Sequence, residues 1–88
     1  MNLTELKSAL DAAGVSESAY SFTSDGYGEV YRLAPIHDIL GDGWEIYYAE
    51  RGGKTGQLVF RSESEACDEF LRRILQDPST RRSAFPRP

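Results

Sequence analysis

The stretch Gly43–Leu75, GWEIYYAERGGKTGQLVFRSESEACDEFLRRIL, decides the fold. Trp44–Ala49 alternates with a period of two. Trp44, Ile46 and Tyr48 share one face, and Glu45, Tyr47 and Ala49 share the other, as in a half-buried strand. Arg51–Gly56 is then the hairpin connection, because its glycines reach positive φ without a steric cost. Gln57–Arg61 returns as a second strand, with Leu58 and Phe60 on one side and Val59 on the other. Ser62 or Ser64 is expected to cap the helix that follows, and Ser62 with Glu65 has the spacing of a capping box, in which each side chain bonds the other residue's backbone N–H. Glu63, Glu65 and Asp68 crowd the first turns of the helix that follows, and Arg72 and Arg73 come late, as the helix dipole favours. Its apolar residues Ala66, Cys67, Phe70, Leu71, Ile74 and Leu75 form one stripe wide enough to cover a sheet. Asp77–Pro78 ends it.

Upstream, Leu3, Leu6, Leu10 and Ala13 recur at spacings of three and four. They predict a short amphipathic helix, capped by Asn2 or Thr4 and stopped by Gly14. Val15–Ala19 reads as a turn. Tyr20–Thr23 is a candidate first strand, broken at Ser24-Asp25-Gly26. Glu29–Leu33 is rich in strand formers, and Pro35 either ends that strand or places it at an edge. Ile36–Leu40 carries no clear period, and Asp38–Gly43 reads as a loop leading into a tight turn. The order is helix, three or four strands, helix. The economical solution is α+β: an antiparallel β-meander with the N- and C-terminal helices packed on one face. Trp44, Ile46, Tyr48, Leu58 and Phe60 are expected to face the helices. Glu45, Tyr47, Val59 and Tyr31 are expected on the opposite, open face. Residues 1–77 make a single domain, and the basic, Pro-rich 78–88 is expected to be a flexible or loosely docked tail.

Eighty-eight residues bury only about 60–70% of their unfolded surface. A domain of that size more readily presents a surface than encloses a deep pocket. The net charge is −4, which argues against general nucleic-acid binding. The charge is uneven: residues 1–50 hold nine acids against Lys7 and Arg32, a net −7, whereas residues 51–88 hold eight bases against five acids, a net +3. An acidic half of that kind attracts a basic partner. Cys67 is the single cysteine, so no internal disulfide forms, which fits a reducing compartment. No basic-then-apolar leader and no apolar run of membrane-spanning length is present. The expectation is a cytoplasmic protein that engages no membrane.

Residues that suggest chemistry are few. His37 is the only histidine, and no cysteine pair accompanies it, so neither a metal site nor a cofactor is expected. Cys67 lies on the apolar stripe of the second helix, where free cysteines are inert. Gly53-Lys54-Thr55 has Tyr48 where a phosphate loop needs glycine, and it joins two strands instead of a strand and a helix. Glu45 and Glu50 are five apart on a strand and point to opposite faces, unlike an acid/base pair. No catalytic residue is assigned, and no enzymatic activity is expected. Tyrosines beside carboxylates are instead a common makeup of protein-binding surfaces.

The strand Trp44-Glu45-Ile46-Tyr47-Tyr48-Ala49-Glu50-Arg51-Gly52, the Gly/Lys turn after it, and Phe60-x-Ser62-Glu63-x-Glu65-Ala66-Cys67-x-x-Phe70-Leu71 resemble small bacterial immunity proteins of polymorphic toxin systems. Agreement is weaker at the first helix and at Ala19-Tyr20-Ser21. Ala49 stands where the pattern usually has serine, and Arg32–Asp42 is longer and less regular than the pattern. The resemblance implies a cytosolic α+β protein that binds a cognate toxin, often a basic nuclease, and blocks it sterically. The matched positions serve the fold, so no contact residue is carried over.

The expected binding surface is the acidic open face of the sheet: Tyr31, Glu45 and Tyr47, with the loop carboxylates Asp25, Glu29 and Asp42. Two other readings compete with it. One is a general interaction or assembly module, a homodimer that buries the open face or pairs edge strands. The other is a small-molecule or catalytic site around His37 and Tyr27.

Overall fold

The computed structural model describes residues 1–24 and 28–81. The chain runs α1 (Leu3–Ala12), β1 (Tyr20–Ser21), β2 (Val30–Asp38), β3 (Gly41–Glu50), β4 (Gly53–Phe60) and α2 (Glu63–Leu75), with single 3-10 turns at Glu17–Ala19 and Pro78–Thr80. The four strands form one sheet in the order β1-β2-β3-β4. The fold is α+β, as the sequence pattern predicts, and β2, β3 and β4 form the antiparallel meander.

The first strand departs from that meander. β1 runs parallel to β2, pairing Tyr20 with Tyr31 and Ser21 with Arg32. Parallel neighbours cannot be joined by a tight hairpin, and the segment 22–29 separates the two strands. β2 is also longer than the sequence suggests, continuing through Pro35 to Asp38. Pro35 is tolerated because β1 reaches only Tyr31 and Arg32. At Pro35 the outer edge of β2 faces no strand among the described residues, so no ladder bond is lost there.

Both hairpins close more tightly than expected. Gly41 resumes pairing with Asp38, so the β2–β3 turn is Ile39–Leu40 alone, and the anticipated loop to Gly43 is strand. Gly41 takes φ +110°, which an L side chain rarely adopts. The β3–β4 turn is Arg51–Gly52, with φ values of 51° and 78°. Two positive φ angles make it the twist-matched hairpin turn, and Gly53–Gly56 joins β4 instead of lengthening the loop.

The helices begin where their caps dictate. Asn2 caps α1: its side chain accepts from Glu5 N at 2.8 Å, and Glu5 accepts from Asn2 N at 2.9 Å. A cap of this type contributes about 1 kcal/mol. Ser62 accepts from Glu65 N at 3.3 Å. Glu63 instead turns to the neighbouring helix and accepts from Leu3 N at 2.9 Å, satisfying one of the unpaired amides at the start of α1. The two helix N-termini therefore lie side by side.

α2 lies across β2, β3 and β4, and α1 packs against α2. Leu6, Leu10, Val15, Leu33, Ile46, Ala66, Cys67, Phe70 and Ile74 form the buried core. Phe22 meets Phe70 edge-on at 6.1 Å. The cover thins toward β4. Leu58 stands on the helix face opposite the fully buried Ile46, yet it remains 42% exposed, and Leu75 at the end of α2 is also partly exposed. Pro78–Arg81, assigned from sequence to the tail, dock onto the domain. Ser16 N donates to Thr80 O at 2.7 Å, Val15 bridges Arg81, and Thr80 is buried.

Candidate functional site

Six residues were expected to build one open surface, and the structure does not bring together the five of them that it describes. Arg32, Glu45 and Tyr47 do share the face opposite the helices, and Arg32 pairs with Tyr47 across β2 and β3. That face is covered by its own side chains. Glu45 is 7% exposed and Tyr47 is 4% exposed. Lys54 Nζ donates to Glu45 Oε1 at 2.7 Å and sits 4.7 Å above the Tyr47 ring, while Gln57 Nε2 donates to Glu45 Oε2. The Glu45 carboxylate holds the Lys54 ammonium above the usual lysine pKa. Glu45 and Tyr47 are thus spent on internal contacts, which corrects the expectation that they face solvent. The reason is a bulge in β4, where Gly56 and Gln57 together stand against Tyr47. It lets β4 fold Gln57 and Lys54 back over β3.

Tyr31 lies on the other face. Its hydroxyl donates to Asp77 Oδ2 at 3.0 Å, and its ring meets Tyr48 edge-on at 4.9 Å. Burial, then the bond and charge of Asp77, push the Tyr31 hydroxyl up to about 12. Glu29 is exposed at the opposite end of the sheet from Asp42. Asp25, like Tyr27 of the competing catalytic reading, lies outside the described residues. The Cys67 thiol is buried in the core and pushed up by that burial. His37 is exposed, with Nδ1 at 2.8 Å from Asp42 Oδ1.

A cleft of about 480 Å³ opens beside Tyr47. It is lined by Ser24, Glu29, Arg32, Glu50 and Lys54 among others. Its charges are mixed in sign, and Lys54 and Glu50 within it are already bonded to Glu45 and Thr55. No group of three metal-ligating side chains occurs among the described residues.

The feature that sequence reasoning missed is the tip of the β2–β3 hairpin. Ile39 is 98% exposed and Leu40 is 78% exposed, more than any other large apolar side chain among the described residues. The turn beneath them is tied down by other residues. Asp38 Oδ1 accepts from Leu40 N at 2.9 Å, and Asp38 Oδ2 accepts from Arg61 Nη2 at 2.8 Å. Arg61 Nη1 also donates to Gly41 O and Asp42 O at 3.1 and 3.3 Å. The Arg61 guanidinium and the Leu40 amide hold the Asp38 carboxyl below the usual aspartate range. Asp38, Gly41 and Arg61 fix the turn, so Ile39 and Leu40 have no structural task. The signal was present in the sequence: Asp-x-x-Gly is turn chemistry whose middle positions favour polar residues, yet here they are isoleucine and leucine. The tip is an exposed apolar pair on a hydrogen-bonded turn, flanked by Asp38 and Asp42.

No helix among the described residues is long and apolar enough to cross a membrane. The chain matches no protein-family model, no curated protein and no solved structure.

Proposed function

We propose that this protein is a cytoplasmic binding protein that neutralises a cognate bacterial toxin by steric occlusion, without chemistry of its own. The observation that carries the binding part of this reading is the hairpin tip. Two large apolar side chains stand in solvent on a turn that is already fixed by Asp38, Gly41 and Arg61. Burying one Leu or Ile side chain is worth roughly 1.5–3 kcal/mol. A pre-ordered turn loses little conformational freedom when it docks, so more of that gain appears as affinity. Paired apolar anchors inside a polar rim have the anatomy of an interface centre. The resemblance of Gly43–Leu75 to immunity proteins supports the choice of a toxin as partner. The acidic residues 1–50 favour a basic one.

The surface proposed from the structure differs from the one the sequence suggested. Asp42 remains in it, Ile39 and Leu40 become its centre, and Glu45 and Tyr47 leave it, held in their contacts with Lys54 and Gln57. The test is to identify the product of the gene next to this one, co-express it with the chain, and measure growth protection and binding of the purified pair. Protection is expected, and Ile39→Asp with Leu40→Asp is expected to abolish it. A toxin domain that neither binds nor is neutralised removes the reading.

A further inference from the structure

We infer that β4 is a self-association edge, on which two copies of this chain pair antiparallel through Gln57–Phe60 and continue the sheet across a two-fold axis. This inference is independent of the toxin reading.

β4 is the outermost strand of the sheet and has no strand partner on its outer side among the described residues. All of its residues except Phe60 are exposed. Native proteins usually blunt such an edge with projecting charge, proline or a bulge. Here those devices protect only the first half of the strand. The bulge lies in β4 itself, at Gly56 and Gln57, and Arg73 Nη1 covers Gly56 O at 2.6 Å. Lys54 does not project along the edge, because it is drawn in to Glu45 and Tyr47. From the bulge onward, Gln57–Phe60 carries neither charge nor proline.

That unprotected half is also apolar on both faces. Leu58 is 42% exposed on the helix face and Val59 is 44% exposed on the other. α2 leaves Leu58 half-covered although its cross-strand neighbour Ile46 is fully buried. An antiparallel pair of identical strands centred near Leu58 sets that side chain against its own copy, which completes the missing cover. A two-fold contact of this kind is self-complementary by construction. Charge selects a second copy as well. In a chain of net −4, the run Gly52–Ser62 contains no carboxylate. Its cations Lys54 and Arg61 are paired with Glu45 and Asp38. Two copies meet here without the like-charge repulsion that the acidic first half imposes. An antiparallel dimer also points its two Ile39–Leu40 tips in opposite directions, leaving both open.

Sedimentation equilibrium of the 88-residue chain, from low micromolar to near-millimolar concentration, tests the inference. The expected result is a monomer–dimer equilibrium. Leu58→Lys with Val59→Lys should weaken it by about a hundredfold, and Ile39→Lys should leave it unchanged. Both edge positions are half-exposed, so circular dichroism should show an intact fold. As a measurement on the unmodified protein, hydrogen exchange at the Gln57–Phe60 amides should slow as concentration rises. A monomer mass throughout overturns the inference. So does a dimer that is indifferent to the edge variants, or amide exchange that does not change with concentration.

Discussion

The Tyr31 hydroxyl donates to the Asp77 carboxylate at 3.0 Å, joining β2 to the residue that caps the turn after the second helix. Asp77 also accepts from Ser79 N and Ser79 Oγ, at 3.1 and 2.7 Å, so one carboxylate fastens β2 to the turn Pro78–Thr80. Those bonds hold the Asp77 carboxyl below its usual range.

This bond has a pH signature. The Tyr31 hydroxyl is raised from 10.0 to about 12, first by burial and then by Asp77. A group whose folded pKa is raised contributes stability that is complete below the unfolded value and lost as pH climbs through the folded one. Stability should therefore fall between pH 10 and 12. Tyr31→Phe should lose about 1 kcal/mol at neutral pH and should flatten that alkaline slope. Urea midpoints measured at several pH values give both results. An unchanged slope in the variant would assign the alkaline loss to another group.

Glu69 gives the opposite sign. Arg72 and Arg73, one turn along α2, bond its carboxylate and hold it down at about 2. A depressed carboxylate contributes stability above its unfolded pKa that disappears as pH falls through the folded one. The loss should lie between the usual 4.5 and about 2. Glu69→Gln should lower stability above pH 5, where that contribution is complete, and should remove this part of the acid transition, so that variant and parent converge near pH 2. Thermal melts from pH 7 down to pH 2 would show the difference.

Gly43 has no room for a side chain. A Cβ built there would stand 2.9 Å from Phe60 O and 2.9 Å from Arg61 Nη1. The arginine can swing away, but a backbone carbonyl in the β3–β4 ladder cannot. Gly43→Ala should cost about 1–3 kcal/mol and should loosen the grip of Arg61 on Gly41 O and Asp42 O. Chemical denaturation of the pair of proteins measures the cost. A variant as stable as the parent would mean that the strands separate there without penalty.

The hairpin tip should split binding from stability. Ile39→Asp and Leu40→Asp remove apolar groups that touch solvent, so the unfolding free energy should stay within about 0.5 kcal/mol of the parent. Partner affinity should fall by roughly 1.5–3 kcal/mol for each anchor lost. Calorimetry on the purified complex, beside a thermal melt of the free protein, reads both. Equal losses in the two measurements would make the tip a structural element.

Much of the fold was legible because its signals are local. The capped stripe of α2, the alternation of β3 and the glycine turn each follow from spacing within a few residues. The parallel pairing of β1 was not legible, since two residues, Tyr20 and Ser21, carry no period. The extension of β2 through Pro35 was hidden because a proline is compatible with a strand only if its outer edge is unpaired, which is a tertiary fact. The site was misread for a related reason. Alternation assigned Glu45 and Tyr47 correctly to the face away from the helices, but their burial depends on a bulge in the neighbouring strand that folds Lys54 and Gln57 over them. Exposure of Ile39 and Leu40 depended on how few residues the turn contains, which the run of glycine and aspartate around it left open.

The docking of Thr80 and Arg81 on the turn after α1 bears on when the domain can fold. Leu6 and Leu10 bury their side chains in a core that includes α2, and Val15 meets Arg81. α1, the first of the described elements, therefore waits for some of the last of the described residues. During synthesis α1 has no lasting partner until the chain has passed α2, and contacts of such long sequence separation form late. Folding of this domain therefore follows the emergence of nearly all of its described residues, and α1 stays without its packing partners until then.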